Sequence, residues 1–198
     1  MSTLIVYIHG KGGSAKEAEH YRPLFPDGDV IGLTYKAAAP WEAKEEFPAL
    51  LRAAREGYDH LILIANSIGA YFAMQALSEE RIDKAYLISP ITDMEKLIRE
   101  MMRSAGVTES ELEEKGEIPT PFGETLSWKY LSYVRAHPIE WKVPTEILCG
   151  EKDRLISEET IRSFARRSGA NLTVMAGGEH WFHTEEQMAF LDEWITKR

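Results

Sequence analysis

The sequence predicts an α/β fold, a three-layer α/β/α sandwich in which helices cover both faces of a mainly parallel sheet. Short apolar runs rich in β-branched residues alternate with longer stretches of helical periodicity, which is the pattern of βαβ units. Several of the short runs are apolar almost throughout, as strands buried on both faces are. At 198 residues the chain is long enough to bury a substantial core in a single domain.

The individual elements are delimited by residues that start or stop helices and strands. Pro40 precedes one helical stretch, and Gly57 and Gly169 follow two others. The predicted strands are Leu4–Ile8, Val30–Tyr35, His60–Ala65, Lys84–Ile88, Glu146–Cys149 and Leu172–Met175. The predicted helices are Ser14–Tyr21, Trp41–Glu56, Ile68–Glu80, Ser157–Ser168 and Thr184–Thr196.

A stretch of roughly fifty residues, 91–143, interrupts this alternation and contains no convincing strand. Helical patterns are predicted within it at Met94–Met102, Glu109–Glu114 and Leu126–Arg135. Long insertions are usually functional or disordered, and the aromatic content of this one argues against disorder. We expect a small helical lid inserted into the single domain.

The charge balance and the cysteine count exclude several classes of protein. With 23 basic and 32 acidic side chains the formal charge is -9, which disfavours nucleic acid and anionic membranes as partners. Cys149 is the only cysteine, so an intramolecular disulfide and a four-cysteine zinc site are excluded. We expect no secretory signal, no membrane span and a cytoplasmic location, and no signature indicates a particular oligomeric state.

Segment 60–70, HLILIANSIGA, predicts a strand that turns sharply into a helix at Ser67. A serine on such a turn has a strained backbone, and the residues two before and two after it must be small because strand and helix pass close together. Ala65 and Gly69 meet this requirement, as they do around a nucleophilic serine. A serine at such a junction also serves as an ordinary N-cap, so the pattern alone leaves both interpretations open.

A glycine-rich loop, His9-Gly-Lys-Gly-Gly13, follows the first predicted strand. Its glycines are also typical of a tight turn, and residues 10–15 fit the dinucleotide-binding pattern G-x-G-x-x-G/A. That pattern requires an acidic residue at the end of the next strand, which here ends in Tyr35 and Lys36, so the dinucleotide interpretation is rejected. A loop of the His-Gly-x-Gly-Gly kind instead supplies an N–H group to an oxyanion.

An acid and a histidine follow the serine in the order that a nucleophilic site needs. Asp153 lies in the loop after the strand Glu146–Cys149, where a carboxylate can orient an imidazole, although an aspartate there also simply opens a turn. His180 follows two glycines after the last strand, on the kind of loop that suits a general base. His183 lies nearer the following helix, so the base is assigned to His180.

Taken together, these motifs resemble the α/β-hydrolase superfamily over essentially the whole chain. The resemblance implies a six-stranded sheet of order 2-1-3-4-5-6 that starts at the strand before the glycine-rich loop and lacks two antiparallel strands found in larger members. It also implies a triad of Ser67, His180 and Asp153, with oxyanion N–H groups from Lys11 and Ile68. The insertion lies where that superfamily places its lid.

Two departures and one rival accompany the resemblance. Ala65 replaces the first glycine of the serine turn, and Asn66 replaces a commoner histidine or aspartate. Some similar hydrolases carry the acid after the fourth strand, where this chain has Asp93. Asp153 is preferred because its loop is shorter and better placed relative to the loop of His180.

The resemblance implies hydrolysis of a small carboxylic ester or thioester through an acyl-enzyme on Ser67. No metal or organic cofactor is expected, and the predicted partner is a small ester-like molecule. A peptidase or other acyl-transfer enzyme with the same triad, and a non-catalytic binding module, are the alternatives. The candidate substrate-binding residues are His9, Asn66, Phe122, Trp128, Tyr130 and Trp181.

Overall fold

Residues 2–198 are described by a computed structural model of the chain. Within that range the strands are β1 (Thr3–Ile8), β2 (Asp29–Gly32), β3 (His60–Asn66), β4 (Lys84–Ile88), β5 (Glu117–Pro119), β6 (Thr125–Ser127), β7 (Thr145–Gly150) and β8 (Asn171–Met175). The helices are a 3₁₀ helix (Ala15–Leu24), α1 (Pro40–Arg55), α2 (Ser67–Ala76), α3 (Met94–Ala105), α4 (Glu109–Lys115), α5 (Trp128–Ala136), α6 (Glu158–Ser168) and α7 (Glu185–Thr196). No helix among these residues is long and apolar enough to cross a membrane.

Six of the strands form one sheet in the order β2-β1-β3-β4-β7-β8. Every neighbouring pair in that sheet is parallel. The predicted fold class and the predicted strand order are confirmed, since β7 and β8 are the fifth and sixth strands of this sheet. In a parallel sheet all carboxyl ends lie at one edge, so the loops after β1, β3, β7 and β8 share that edge.

The strands are buried because their side chains alternate between two apolar faces. Ile5 and Tyr7 of β1 point to the face that the 3₁₀ helix and α7 cover, where they join Tyr21 and Trp194 in one hydrophobic cluster. Leu4 and Val6, which alternate with them, are also fully buried. A strand buried on both faces is apolar throughout, which is why β1 and β3 could be recognised in the sequence.

Some predicted boundaries were wrong. Strand β2 ends at Gly32 and not at Tyr35. The Leu33 N–H still donates to the Tyr7 carbonyl of β1 at 2.8 Å, and farther along the N–H groups of Lys36 and Ala37 donate to the carboxylate of Glu46 in α1. Helix α2 ends at Ala76, four residues before the predicted end. The helix after the glycine-rich loop is 3₁₀, starting with a bond from the Glu17 N–H to the Ser14 carbonyl three residues back.

Asp93–Ile139 forms a compact unit of its own, separate from the unit made by the residues up to Thr92 and by Glu140–Arg198. The smaller unit contains the three predicted helices as α3, α4 and α5. It also contains an antiparallel hairpin of β5 and β6, so the prediction of a segment without strands was wrong. Strands of three residues are too short to show a period of two in the sequence. Within this unit Arg135 pairs with Glu95 at 2.9 Å and with Glu109.

Cys149 lies in β7 and is completely buried. Burial raises the pKa of its thiol to about 12. We therefore expect no reaction with a maleimide at pH 8 in the native protein and one equivalent of label after denaturation, measured by intact mass. Rapid labelling of the native protein would contradict this placement.

The same burial makes the stability of the fold depend on pH. Because the Cys149 thiol ionises near pH 9 in the unfolded chain, its contribution to folding stability should be lost as the pH rises from about 9 to about 12.

Candidate active site

Ser67 stands at the turn between β3 and α2 with a left-handed backbone, φ 50°. That region is strained for any residue with a side chain, and such strain concentrates at functional sites. The turn is possible only because its neighbours are small: Ala65 is fully buried, and a Cβ on Gly69 would lie 2.1 Å from the carbonyl oxygen of His9. Helix α2 therefore passes in direct contact with the backbone that follows β1.

Ser67, His180 and Asp153 form a continuous chain of hydrogen bonds. The Ser67 hydroxyl Oγ lies 2.8 Å from Nε2 of His180, and Nδ1 of the same ring lies 2.7 Å from Oδ2 of Asp153. The Asp153 side chain is 2% exposed and the His180 side chain 24% exposed. The carboxylate is thus shielded from water, while the imidazole keeps an open side.

The Asp153 carboxylate is held by its own loop. Its second oxygen, Oδ1, accepts hydrogen bonds from the N–H groups of Leu155 at 2.8 Å and Ile156 at 3.1 Å. Because both N–H groups donate to Oδ1, the other oxygen, Oδ2, is free to accept from Nδ1 of His180. The rival acid, Asp93, has a different role: its Oδ1 accepts the N–H of Lys96 at 2.9 Å and caps α3.

The loops that carry the acid and the histidine are bonded to each other. The Lys152 N–H donates to the carbonyl of Gly178 at 2.8 Å, and the Gly177 N–H donates to a carboxylate oxygen of Glu151 at 2.8 Å. A Cβ on Gly150 would lie 2.3 Å from the backbone of Gly178. The two loops can approach so closely only because both positions lack a side chain.

The glycine-rich loop contacts the serine turn directly. The Gly13 N–H donates to the Gly10 carbonyl at 3.2 Å, and Gly12 has φ +75°, which makes residues 10–13 a tight turn. A Cβ on Gly10 would lie 3.3 Å from Cβ of Ser67. Lys11 is exposed and follows this point of contact. Ile68 is in the first turn of α2, where backbone N–H groups have no partner within the helix.

A carboxylate beside the glycine-rich loop was missed in the sequence. Glu17 accepts the Tyr7 hydroxyl at 2.5 Å on Oε2 and the Ser14 N–H at 2.9 Å on Oε1. Burial raises the pKa of Tyr7 far above its ordinary value, so its hydroxyl stays protonated and donates. The spacing Ser14-x-x-Glu17, that of a capping box, was the signal for this contact.

The candidate substrate-binding residues lie in different places. The His9 ring stacks on Tyr35 with centroids 4.4 Å apart, and Asn66 occupies the N-cap position of α2 beside Ser67 without a side-chain capping bond. Trp181 is 68% exposed and stacks on His183 with centroids 4.5 Å apart. Phe122, in the hairpin turn, and Trp128 and Tyr130, in α5, belong to the smaller unit. Among residues 2–198 no group of three or more His, Cys, Asp or Glu side chains is arranged to hold a metal ion.

Solved structures share this architecture over nearly the full chain. Est1E from Butyrivibrio proteoclasticus matches with a TM-score of 0.78 at 15% identity, covering 99% of this chain and 86% of that chain. Alpha/beta hydrolase domain-containing protein 10 from mouse matches with a TM-score of 0.77 at 17% identity, covering 98% and 88%. The chain has the α/β-hydrolase fold. A monoacylglycerol lipase from Paleococcus ferrophilus matches with a TM-score of 0.62 at 16% identity, covering 98% and 94%.

Similarity in sequence is confined to a shorter segment. A Mycoplasma genitalium protein named as an esterase/lipase is 30% identical to this chain over 77 residues. The match spans 37% of this chain and only 28% of that protein. No protein-family model matches the chain. Within the α/β-hydrolase fold, Ser67, Asp153 and His180 follow β3, β7 and β8, so all three stand at the carboxyl edge of the sheet.

Proposed function

We propose that this protein is a serine hydrolase that cleaves small carboxylic esters or thioesters through an acyl-enzyme on Ser67. The observation that carries the proposal is the hydrogen-bond chain from Ser67 Oγ to His180 at 2.8 Å and on to Asp153 at 2.7 Å. Serine, imidazole and carboxylate in this geometry are recognised as a triad by their mutual contacts. The names of the mouse hydrolase, of the Paleococcus ferrophilus lipase and of the Mycoplasma genitalium protein agree with this chemistry.

In the first half-reaction Oγ of Ser67 bonds to the carbonyl carbon while Nε2 of His180 takes the hydroxyl proton. Asp153 keeps the other ring proton on Nδ1 and stabilises the imidazolium that forms. The negative oxygen of the tetrahedral intermediate accepts from the N–H groups of Lys11 and Ile68. The bond to the leaving group then breaks, and the proton on Nε2 passes to the departing oxygen or sulfur.

In the second half-reaction water attacks the acyl-enzyme and His180 again takes a proton, now from the water. Collapse of the second intermediate returns that proton to Oγ and releases the carboxylic acid. We further propose that the insertion at about 91–143 acts as a helical lid, with Phe122, Trp128 and Tyr130 as substrate contacts. A peptidase or another acyl-transfer enzyme would use the same steps on a different acyl donor.

Intact mass after exposure to a fluorophosphonate tests the proposal. We expect one adduct on the wild type and none on Ser67→Ala, because the label bonds to a nucleophilic serine. His180→Ala should also remain unlabelled on the same timescale, because Oγ loses its base. His60→Ala is the matched control, since His60 lies at the opposite, amino end of β3, and it should be labelled like the wild type.

Two outcomes would contradict the proposal or its assignments. No adduct on the wild type would mean that the serine is not activated, and a non-catalytic binding role would then be favoured. Loss of the adduct in His183→Ala together with its retention in His180→Ala would move the base to His183.

A further inference from the structure

A groove of about 650 Å³ opens beside the imidazole of His180. Two loops form it: the one after β7, which carries Asp153, and the one after β8, which carries His180. The lining residues are Lys152, Arg154, Leu155, Glu179, His180, Trp181 and His183. The groove is therefore continuous with the site and is made by the loops that hold its acid and its base.

Two cations on this groove are unpaired. Lys152 and Arg154 flank Asp153 in the sequence, and both are exposed. Among residues 2–198 neither side chain forms an ion pair or a side-chain hydrogen bond, whereas Arg52, Arg135 and Arg162 are each paired with a glutamate. In a chain of net charge -9, two adjacent unpaired cations make a local positive region.

Two acidic side chains nearby, Glu151 and Glu179, lie against groups other than Lys152 and Arg154. Glu179, which also lines the groove, lies 3.8 Å from Nδ1 of His183 and accepts from Nε2 of Gln187 at 3.5 Å. Glu151 accepts the N–H of Gly177 at 2.8 Å. Neither carboxylate contacts Lys152 or Arg154, so the positive charge of these two residues remains available to a ligand.

The groove is also apolar. Among the described residues three large hydrophobic side chains are exposed, and two of them, Leu155 at 40% and Trp181 at 68%, line this groove. Exposed apolar side chains that lie together on one surface are typical of ligand-binding grooves, whereas single ones are common everywhere. The stacking of Trp181 on His183, with ring planes 18° apart, presents a flat aromatic surface. A planar or apolar group would fit against it.

We propose that this groove binds the leaving group of the substrate, and that this leaving group is an aromatic alcohol carrying a carboxylate. The inference rests on the proposed function, because it is His180 that returns its proton to the departing oxygen. The leaving group then occupies the surface next to that imidazole, with its ring against Trp181 and its carboxylate paired with Lys152 and Arg154. The guanidinium of Arg154 can pair with a carboxylate through two parallel bonds.

The proposed reaction is the hydrolysis of an aryl ester. Ser67 Oγ bonds to the acyl carbon, the bond from that carbon to the aryl oxygen breaks, and the proton held on Nε2 moves to the aryl oxygen. Water then releases the acid from Ser67. The carboxylate of the leaving group is unchanged and serves only for recognition.

The test compares two esters with the same acetyl group, 4-acetoxybenzoate and methyl 4-acetoxybenzoate, each rate being divided by its uncatalysed rate. We expect the wild type to favour the anionic ester in kcat/KM by about tenfold, because two exposed ion pairs contribute a few-fold each. Lys152→Ala/Arg154→Ala should lose this preference through a higher KM for the anion. The readout is the ratio of the two kcat/KM values, in which a general loss of activity cancels. Added salt should weaken the wild-type preference.

Arg166→Ala/Arg167→Ala is the matched control, since it removes two exposed cations from α6 and changes the net charge equally. It should keep the preference for the anionic ester. A second measurement uses the leaving group itself: 4-hydroxybenzoate should slow fluorophosphonate labelling of Ser67 more than its methyl ester does.

Failure of the leaving-group inference and failure of the proposed function give different results. The inference is wrong if the neutral ester is hydrolysed in a Ser67-dependent way but the anionic ester is not preferred. It is also wrong if the preference survives in Lys152→Ala/Arg154→Ala, and in both cases the proposed function stands. If neither ester is hydrolysed and the fluorophosphonate forms no adduct, the proposed function fails and the inference fails with it.

Discussion

Replacing Asp153 by asparagine should lower kcat by roughly 10⁴-fold, the scale of loss expected when a triad histidine is held in the wrong tautomer. The asparagine oxygen would remain with the N–H groups of Leu155 and Ile156, which Oδ1 now accepts at 2.8 and 3.1 Å. Its amide NH₂ would then face Nδ1 of His180 and donate to it. The ring proton would move to Nε2, which could no longer take the proton of Ser67.

The measurement is the initial rate of aryl acetate hydrolysis, together with the urea midpoint of unfolding. The midpoint should change little, because aspartate and asparagine have the same shape and the loop keeps its two hydrogen bonds. Asp93→Asn is the matched control: Asp93 caps α3 by accepting from Lys96, and asparagine is an equally good N-cap. Its activity should equal that of the wild type.

Full activity of Asp153→Asn would show that the carboxylate does not set the tautomer of His180. A large loss of activity in Asp93→Asn, with a normal urea midpoint, would make the acid after β4 the functional one. The two variants thus separate the two acids that the sequence left in competition.

The sequence was most informative where one physical constraint leaves few residue types. Strands buried on both faces must be apolar throughout, so β1, β3 and β4 were predicted nearly to the residue. A serine with positive φ between a strand and a helix needs small neighbours, and these made Ser67 recognisable. The order of the parallel strands came from the resemblance to a known fold, since alternation of elements leaves several orders open.

What the sequence did not reveal depends on contacts between distant segments. The N–H groups of Lys36 and Ala37, which follow the predicted end of β2, donate to Glu46 in a later helix. The bond from Tyr7 to Glu17 joins a strand to a 3₁₀ helix under the glycine-rich loop. The charge of Lys152 and Arg154 became informative only once the structure showed that neither Glu151 nor Glu179 contacts these two side chains.

Gly69→Ala adds one methyl group beside the serine turn, and we expect it to lower both the stability and the reactivity of the protein. The new Cβ would lie 2.1 Å from the carbonyl oxygen of His9, and this neighbour is backbone, so it cannot rotate away. Helix α2 would have to move away from the loop after β1. We expect a loss of about 3 kcal/mol in the free energy of unfolding, at the upper end for overpacked positions. The displaced serine should also react with a fluorophosphonate roughly 10²-fold more slowly.

Gly57→Ala provides the comparison, because it makes the same chemical change where nothing lies within 4 Å. Its backbone has φ +88°, so alanine there costs only the strain of a left-handed residue, about 1 kcal/mol. Urea unfolding and the rate of fluorophosphonate labelling are measured on both variants. If Gly69→Ala lost no more stability than Gly57→Ala and labelled normally, α2 would not be in contact with the His9 backbone. The small residue at position 69 would then reflect local backbone preference and not the close passage of strand and helix that holds Ser67 in its strained conformation.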